Sequence, residues 1–185
     1  NAGDATQTYK FVVRNIAQKF GKVATMMPKP IAMDAGSGMH TNVSLWKDEK
    51  NAFFDESDKD ELSQVGRYFC GGIINHAKAL SAITNPTTNS YHRLIPGYEA
   101  PTYIAWSASN RSAIVRMPQH FNGTKYSYLK RLEFRAPDPS ANPYLVFSVV
   151  LAAGLEGIKK KLDPGDQIHE DIYKMTKVER KKRGI

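Results

Sequence analysis

KPIAMDAGSGMHTNVS, residues 29–44, sets a histidine behind two glycines and then a polar residue at every second position. Followed to Trp46, the run 39–46 alternates: Met39, Thr41, Val43 and Leu45 share one face, and His40, Asn42 and Ser44 the other. A period of two is the mark of a half-buried strand. A flexible glycine approach with three aligned polar groups behind it points to a ligand or a metal.

Outward from this strand, helical and extended segments alternate. Tyr9, Val12, Ile16 and Phe20 recur at helical spacing over 6–20, with Thr6 as cap and Gly21 as stop. KVATMMP (22–28) reads as a short strand ended by Pro28. Asp58 and Glu61 form a capping box that opens a long helix through Leu62, Val65, Phe69, Ile73, Ala77 and Leu80, ended at Asn85-Pro86. Gly71-Gly72 inside it costs about 1 kcal/mol per glycine relative to alanine, which predicts a close neighbour there. A loop rich in turn residues (84–101) leads to extended segments at 102–108, 112–118 and 131–137. Asn142 with Pro143 opens the last long helix, to about Lys161. Its apolar run YLVFSVVLAAGL (144–155) is too short to span a bilayer and reads as buried.

At 185 residues and 41% hydrophobic, the chain suits one domain with a substantial core. Cys70 is its one cysteine, so there is no disulfide framework and no cysteine zinc site, as in a reducing cytosol. No internal repeat is evident. The start carries no visible signal peptide; with no initiator Met and a basic end, the chain reads as a piece of a longer one. The net charge of +8 invites a nucleic-acid partner, but much of the charge lies in two clusters, 158–162 and 177–185. Such runs read more simply as solvated faces, and no recognition-helix or aromatic-basic motif accompanies them. His76, His92, His120 and His169 read as surface or loop groups, Trp46 and Trp106 as packing residues, and Cys70 as a small buried apolar group.

The chemistry gathers in three further stretches. RLEFR places Arg131, Glu133 and Arg135 on one strand face; NRSAIVR (110–116) carries Arg111 and Arg116; the loop carries Arg93 and Glu99. Arginine captures carboxylate and phosphate through a planar, bidentate fork. Many arginines with one histidine and one glutamate suit a polyanion with a divalent metal, the chemistry of phosphoryl transfer to a carboxylate.

Over nearly its whole length the sequence resembles glutamine synthetase of the bacterial and archaeal type. The stretch 29–44, NPTTNSYHRLIPGYEAP (85–101), NRSAIVR and RLEFRAPDPSANPYL (131–145) are similar to that family's catalytic segments, in the family's order and spacing. The resemblance implies an α+β fold: part of an antiparallel sheet forming a funnel-like site, with helices packed outside. It also implies that residues 1–185 are the later part of the catalytic domain, without the amino-terminal domain and the upstream metal-binding strands. His40 and Glu133 match metal ligands, for Mg or Mn. Asn42, Ser44, Arg111, Arg116 and Arg131 match positions around ATP and its phosphates. Gly36, Arg93 and Arg135 match groups that hold glutamate, with Arg111 near the acyl phosphate. Glu99 matches the loop carboxylate that closes over the site and helps deprotonate bound ammonium.

The implied activity is ATP-dependent ligation of ammonia to L-glutamate through a γ-glutamyl phosphate, in a cytoplasmic ring-shaped homo-oligomer, a dodecamer in the family. No nucleic acid and no membrane take part. Ala35 stands where many members have an asparagine that contacts glutamate, which keeps a ligase for an amine or polyamine open; a non-catalytic relative is the third reading. Asn42 stands where a second histidine is frequent. Tyr128 falls where a nucleotide-binding lysine is expected, with Lys130 nearby. Tyr173 matches a tyrosine adenylylated in some bacterial members, but its surroundings fit that motif poorly.

Overall fold

Helix α2 (Gln64–Thr84) crosses helix α4 (Pro143–Lys160) so closely that glycine is required on both sides. A Cβ on Gly72 would lie 2.1 Å from the Ala153 carbonyl oxygen, and one on Gly157 2.2 Å from that of Tyr68. The helix-propensity cost of Gly71-Gly72 is therefore the cost of backbone contact, as the sequence predicts. The computed structural model describes residues 1–98, 100–118 and 123–185.

Helix α1 (Ala2–Lys19) begins earlier than expected, because Asn1 and Asp4 form its capping box while Thr6 donates to the Ala2 carbonyl inside the helix. Residues 22–28 do not form the expected strand. They find no ladder partner, and the Pro28 carbonyl accepts from Ser37 N–H at 2.8 Å, which turns the chain into the glycine loop. The strand expected over 39–46 divides in two. Strand β1 is Thr41–Val43, and β2 (Trp46–Lys47) folds back on β3 (Lys50–Asn51) through Asp48 and Glu49, both at positive φ.

Asp58 and Glu61 form no capping box. Leu62 bridges to Phe54, so the chain between them turns back on itself, with Asp58 in the turn and Glu61 at positive φ, and Ser63 caps α2 by accepting from Gly66 N–H. Asp58 instead binds Arg67 and accepts from the N–H groups of Asp60 and Leu62. The loop at 84–101 contains a short helix α3 (Thr88–Arg93), because Thr87 and Ser90 cap each other just after Pro86.

Strands β4 (Tyr103–Ser107), β5 (Ala113–Arg116) and β6 (Leu132–Phe134) join β1 in a sheet of order β1-β6-β5-β4. Two pairings are antiparallel as expected, but β4 and β5 run parallel. The return between them is confined to 108–112, held by Ser107 Oγ accepting from the N–H groups of Ser109 and Asn110, and by Asn110 Oδ1 accepting from Ser112. The core between sheet and helices gathers Phe53, Phe69, Ile73, Trp106, Phe134 and Val150. Trp46 is 51% exposed and is not a packing residue; its indole donates to Ser44 Oγ. A final short helix, α5 (Lys177–Lys182), carries the exposed basic run. Among the described residues no helix is long and apolar enough to cross a membrane.

Candidate active site

Sheet register assembles the site. Asn42 lies opposite Glu133, Glu133 opposite Arg116, and Arg116 beside Ser107, so one polar row crosses all four strands. Strand alternation brings Arg131 and Arg135 to the same face of β6 and its flanks. His40, just before β1, completes the group with its Nδ1 3.0 Å from Glu133 Oε1. The other carboxylate oxygen, Oε2, meets Arg116 Nε at 2.7 Å and Arg135 Nη1 at 3.6 Å. Arg131 Nε donates to Asn42 Oδ1 at 3.0 Å and its Nη1 to the Leu129 carbonyl. His40, Asn42, Arg116, Arg131, Glu133 and Arg135 thus come together.

Glu133 is 7% exposed and Arg135 5%. Burial raises the carboxyl's proton affinity, but the hydrogen bond with His40 and the charges of Arg116 and Arg135 outweigh it. Glu133 is held below the usual carboxylate range and is ionised at neutral pH. Two or three cations therefore share one anion. Such a site attracts further negative charge, as an anionic substrate supplies.

Arg93 lies deeper than a substrate-facing role alone requires. It is 4% exposed, and its guanidinium donates to the carbonyls of Ala136 (2.8 Å) and Arg135 (3.0 Å). Burial pushes its pKa down to about 10, and the charge of Asp138 works against that shift. The glycine loop packs on this side chain. A Cβ on Gly36 would lie 2.7 Å from the Pro28 carbonyl and 3.0 Å from Arg93 Cγ; one on Gly38 would lie 2.5 Å from Arg93 Nη2 and 2.8 Å from His40 Nε2. Both glycines are there for close approach. Ser44 accepts from the Trp46 indole and stands off from the row, while Arg111 is exposed at the tip of the 108–112 return. Glu99 and His120 lie outside the described residues.

Sequence reading missed the groups that pin the loop to α3. Asn89 exchanges two hydrogen bonds with the backbone of Lys29, at 2.7 and 2.9 Å, and the Lys29 ammonium sits 3.6 Å over the Tyr98 ring and donates to the Asp34 carbonyl. Lys29 set between Pro28 and Pro30 was the available signal, and the structure buries it.

The donor chemistry of His40 and Glu133 suits a divalent cation in a mixed nitrogen and oxygen shell. Glu133 Oε2 is buried without a well-aligned hydrogen bond, which leaves it acceptor capacity. The set is partial, since among the described residues no cluster of three or more His, Cys, Asp or Glu side chains could hold an ion.

A sheet face with a carboxylate–imidazole pair among arginines, edged by a glycine loop, defines a polar site whose excess of cations suits an anionic ligand. The family model for the glutamine synthetase catalytic domain matches residues 1–185, and the chain belongs to that family. It is 57% identical over its whole length to the glutamine synthetase of Sulfolobus acidocaldarius, covering 39% of that protein, and 51% identical to that of Thermotoga maritima, covering 40%. It superposes on the Plasmodium falciparum glutamine synthetase with a TM-score of 0.83 at 39% identity, over 89% of this chain and 31% of that one. The GmaS/ADP complex gives the same TM-score at 40% identity, over 93% and 39%. The chain thus spans about two fifths of the length of the curated relatives it matches.

Proposed function

We propose that this chain contributes one wall of the active site of a cytoplasmic glutamine synthetase, which joins ammonia to L-glutamate at the expense of ATP. The observation that carries this reading is Glu133 at the centre of the row, held ionised by Arg116, Arg135 and His40. The family membership and the relatives named glutamine synthetase favour ammonia over an amine as acceptor.

In this reading Arg116 and Arg111, with Arg131 and Asn42 beside them, meet the phosphates and nucleotide, with Ser44 at the margin. Arginines aimed at the moving phosphoryl group stabilise charge that grows in the transition state. Arg135 takes the substrate carboxylate through its planar fork, while Arg93 and Gly36 shape the wall behind it. His40 and Glu133 would hold Mg or Mn, which would neutralise phosphate oxygens. Glu99, just before Ala100 in the sequence, would close the site, take a proton from ammonium and keep water from the acyl phosphate. The remaining metal ligands would come from the rest of the protein, and a ring of like subunits, twelve in the family, would supply the facing wall.

The test is phosphate release by a full-length protein carrying this segment, with ATP, Mg or Mn and glutamate, plus ammonium, a polyamine or no acceptor. Ammonium-dependent glutamine formation is expected. Turnover only with the polyamine, or with neither, would overturn the reading. The 185 residues alone should release no phosphate above background, because a hard cation takes about six ligands and His40 and Glu133 are the two matched ligands this segment carries.

A further inference from the structure

Behind the row, on the side away from the solvent, lies a second polar group. Thr84, Asn85 and Asp138 are all essentially fully buried. Asn85, the last cap of α2, donates from Nδ2 to the Ala136 carbonyl at 2.7 Å and to Asp138 Oδ2 at 3.2 Å. Thr84 Oγ1 donates to Asn85 Oδ1 at 2.8 Å, which sets the amide's orientation: its oxygen faces a hydroxyl donor and its nitrogen two acceptors. The other oxygen of Asp138 accepts from Ser140 N–H (2.9 Å) and Oγ (2.5 Å), and Asp138 N–H donates to the Thr84 carbonyl. The end of α2, the chain leaving β6 and the start of α4 meet here.

These residues act on the site through the Ala136 carbonyl, the middle one of three consecutive carbonyls that are each held. That of Arg135 accepts from Arg93 Nη2 at 3.0 Å. That of Ala136 accepts from both Arg93 Nη1 and Asn85. That of Pro137 accepts from Met39 N–H at 2.8 Å, one residue before His40. A backbone gripped at three successive carbonyls cannot rotate its peptide planes, so Arg135 and His40 are both aimed by the same stretch. We propose that Asn85 and Asp138 are positioning residues, which fix the 135–137 carbonyls and through them the placement of Arg93, Arg135 and His40 about Glu133. Neither touches the row itself. The catalytic part of the test rests on the synthetase reading above; the exchange part does not.

The experiment uses the full-length protein and Asn85→Asp, which removes the bridging donor and sets a second carboxylate against Asp138. A carboxylate buried beside another titrates above its ordinary range, and the Arg93 and Lys10 cations that face Asp138 offset part of that rise. At pH 8 glutamine formation should fall at least about tenfold, as expected for a buried acceptor stripped of its donor. It should recover severalfold towards pH 6, where the protonated carboxyl can again donate, and the unsubstituted protein should show no such recovery. Exchanging the partners, Asn85→Asp with Asp138→Asn, restores the donor–acceptor contact between the two side chains but not the donation to the Ala136 carbonyl, so it should regain only the part of the loss at pH 8 that comes from carboxylate repulsion. Amide hydrogen exchange of peptides over 36–41 and 132–138 should speed up in Asn85→Asp, while the centre of α2 keeps its protection.

A pH-independent loss without rescue, or exchange rising equally along α2, would overturn the proposal. Should Asn85→Asp fail to fold, Asp138→Asn serves, with the same local exchange signature expected. If neither variant folds, the group serves the fold alone and the proposal falls. If the unsubstituted protein makes no glutamine, the functional reading fails while the exchange pattern still decides this one.

Discussion

Arg116 Nε lies 2.7 Å from Glu133 Oε2, from the residue directly opposite it on the neighbouring strand. Cross-strand register, rather than any local motif, creates this ion pair. It joins an arginine to a carboxylate whose other oxygen faces His40.

Glu133→Gln keeps the shape and removes the charge that Arg116 and Arg135 share. Activity of the full-length protein should fall by at least about a hundredfold, the scale of an uncompensated buried charge. The pH dependence has a definite sign. A carboxylate held below its ordinary value of 4.5 adds stability that is present above that pH and is lost as pH falls through the lower folded value. The stability gap between wild type and Glu133→Gln should therefore be largest at neutral pH and close in acid. Melts from pH 7 to 3 read this directly, and a gap that widens in acid would refute it.

Arg93→Lys keeps the charge and loses the planar fork across the 135 and 136 carbonyls. One ammonium cannot reproduce that geometry. The loss should be about 2 kcal/mol, on the scale of buried acceptors left unmade, or roughly 4–8 °C in melting temperature for a domain of this size. An unchanged melt would show that the carbonyl grip does not stabilise the fold.

Gly72→Ala sets two effects against each other. Helix propensity favours alanine by about 1 kcal/mol. The added methyl would sit 2.1 Å from the Ala153 carbonyl, a backbone group that can yield only if α4 moves. Overpacking of this kind costs about 1–3 kcal/mol or more, so net destabilisation is expected in urea titration. A higher midpoint would mean the helices cross more loosely than described.

Cys70 is fully buried on α2, and burial raises its thiol pKa far above the ordinary value. Thiolate is the reactive form, so labelling by a disulfide reagent at pH 8 should proceed at the rate of unfolding. Immediate labelling of folded protein would contradict the packing.

Much of the site was legible because strand alternation is a local signal. RLEFR and NRSAIVR fix which side chains share a face, and the row needs only that these strands adjoin. Pairing order was not legible, since nothing within a strand says that β4 and β5 run parallel. The Asp58–Glu61 spacing misled for a related reason: the bridge from Leu62 to Phe54 overrides a cap motif that local sequence alone favours. Arg93 looked like a substrate group, and its hold on the 135 and 136 carbonyls depends on a contact with residues more than forty positions away. For the same reason Asn85 read only as a helix stop, and Asp138 drew no role of its own.

Strand β1 pairs with β6, and His40 meets a partner 93 residues further along the chain. At a synthesis rate of about 5–20 residues per second, roughly 5–20 s pass on the ribosome between the making of His40 and the making of Glu133. Throughout that interval β1 is an open edge with no ladder to join. Helix α2 is finished early, but its glycine face waits still longer for α4. The polar row thus cannot close until β6 has been made, and until then the edge of β1 is where a chaperone or another unfinished chain would bind.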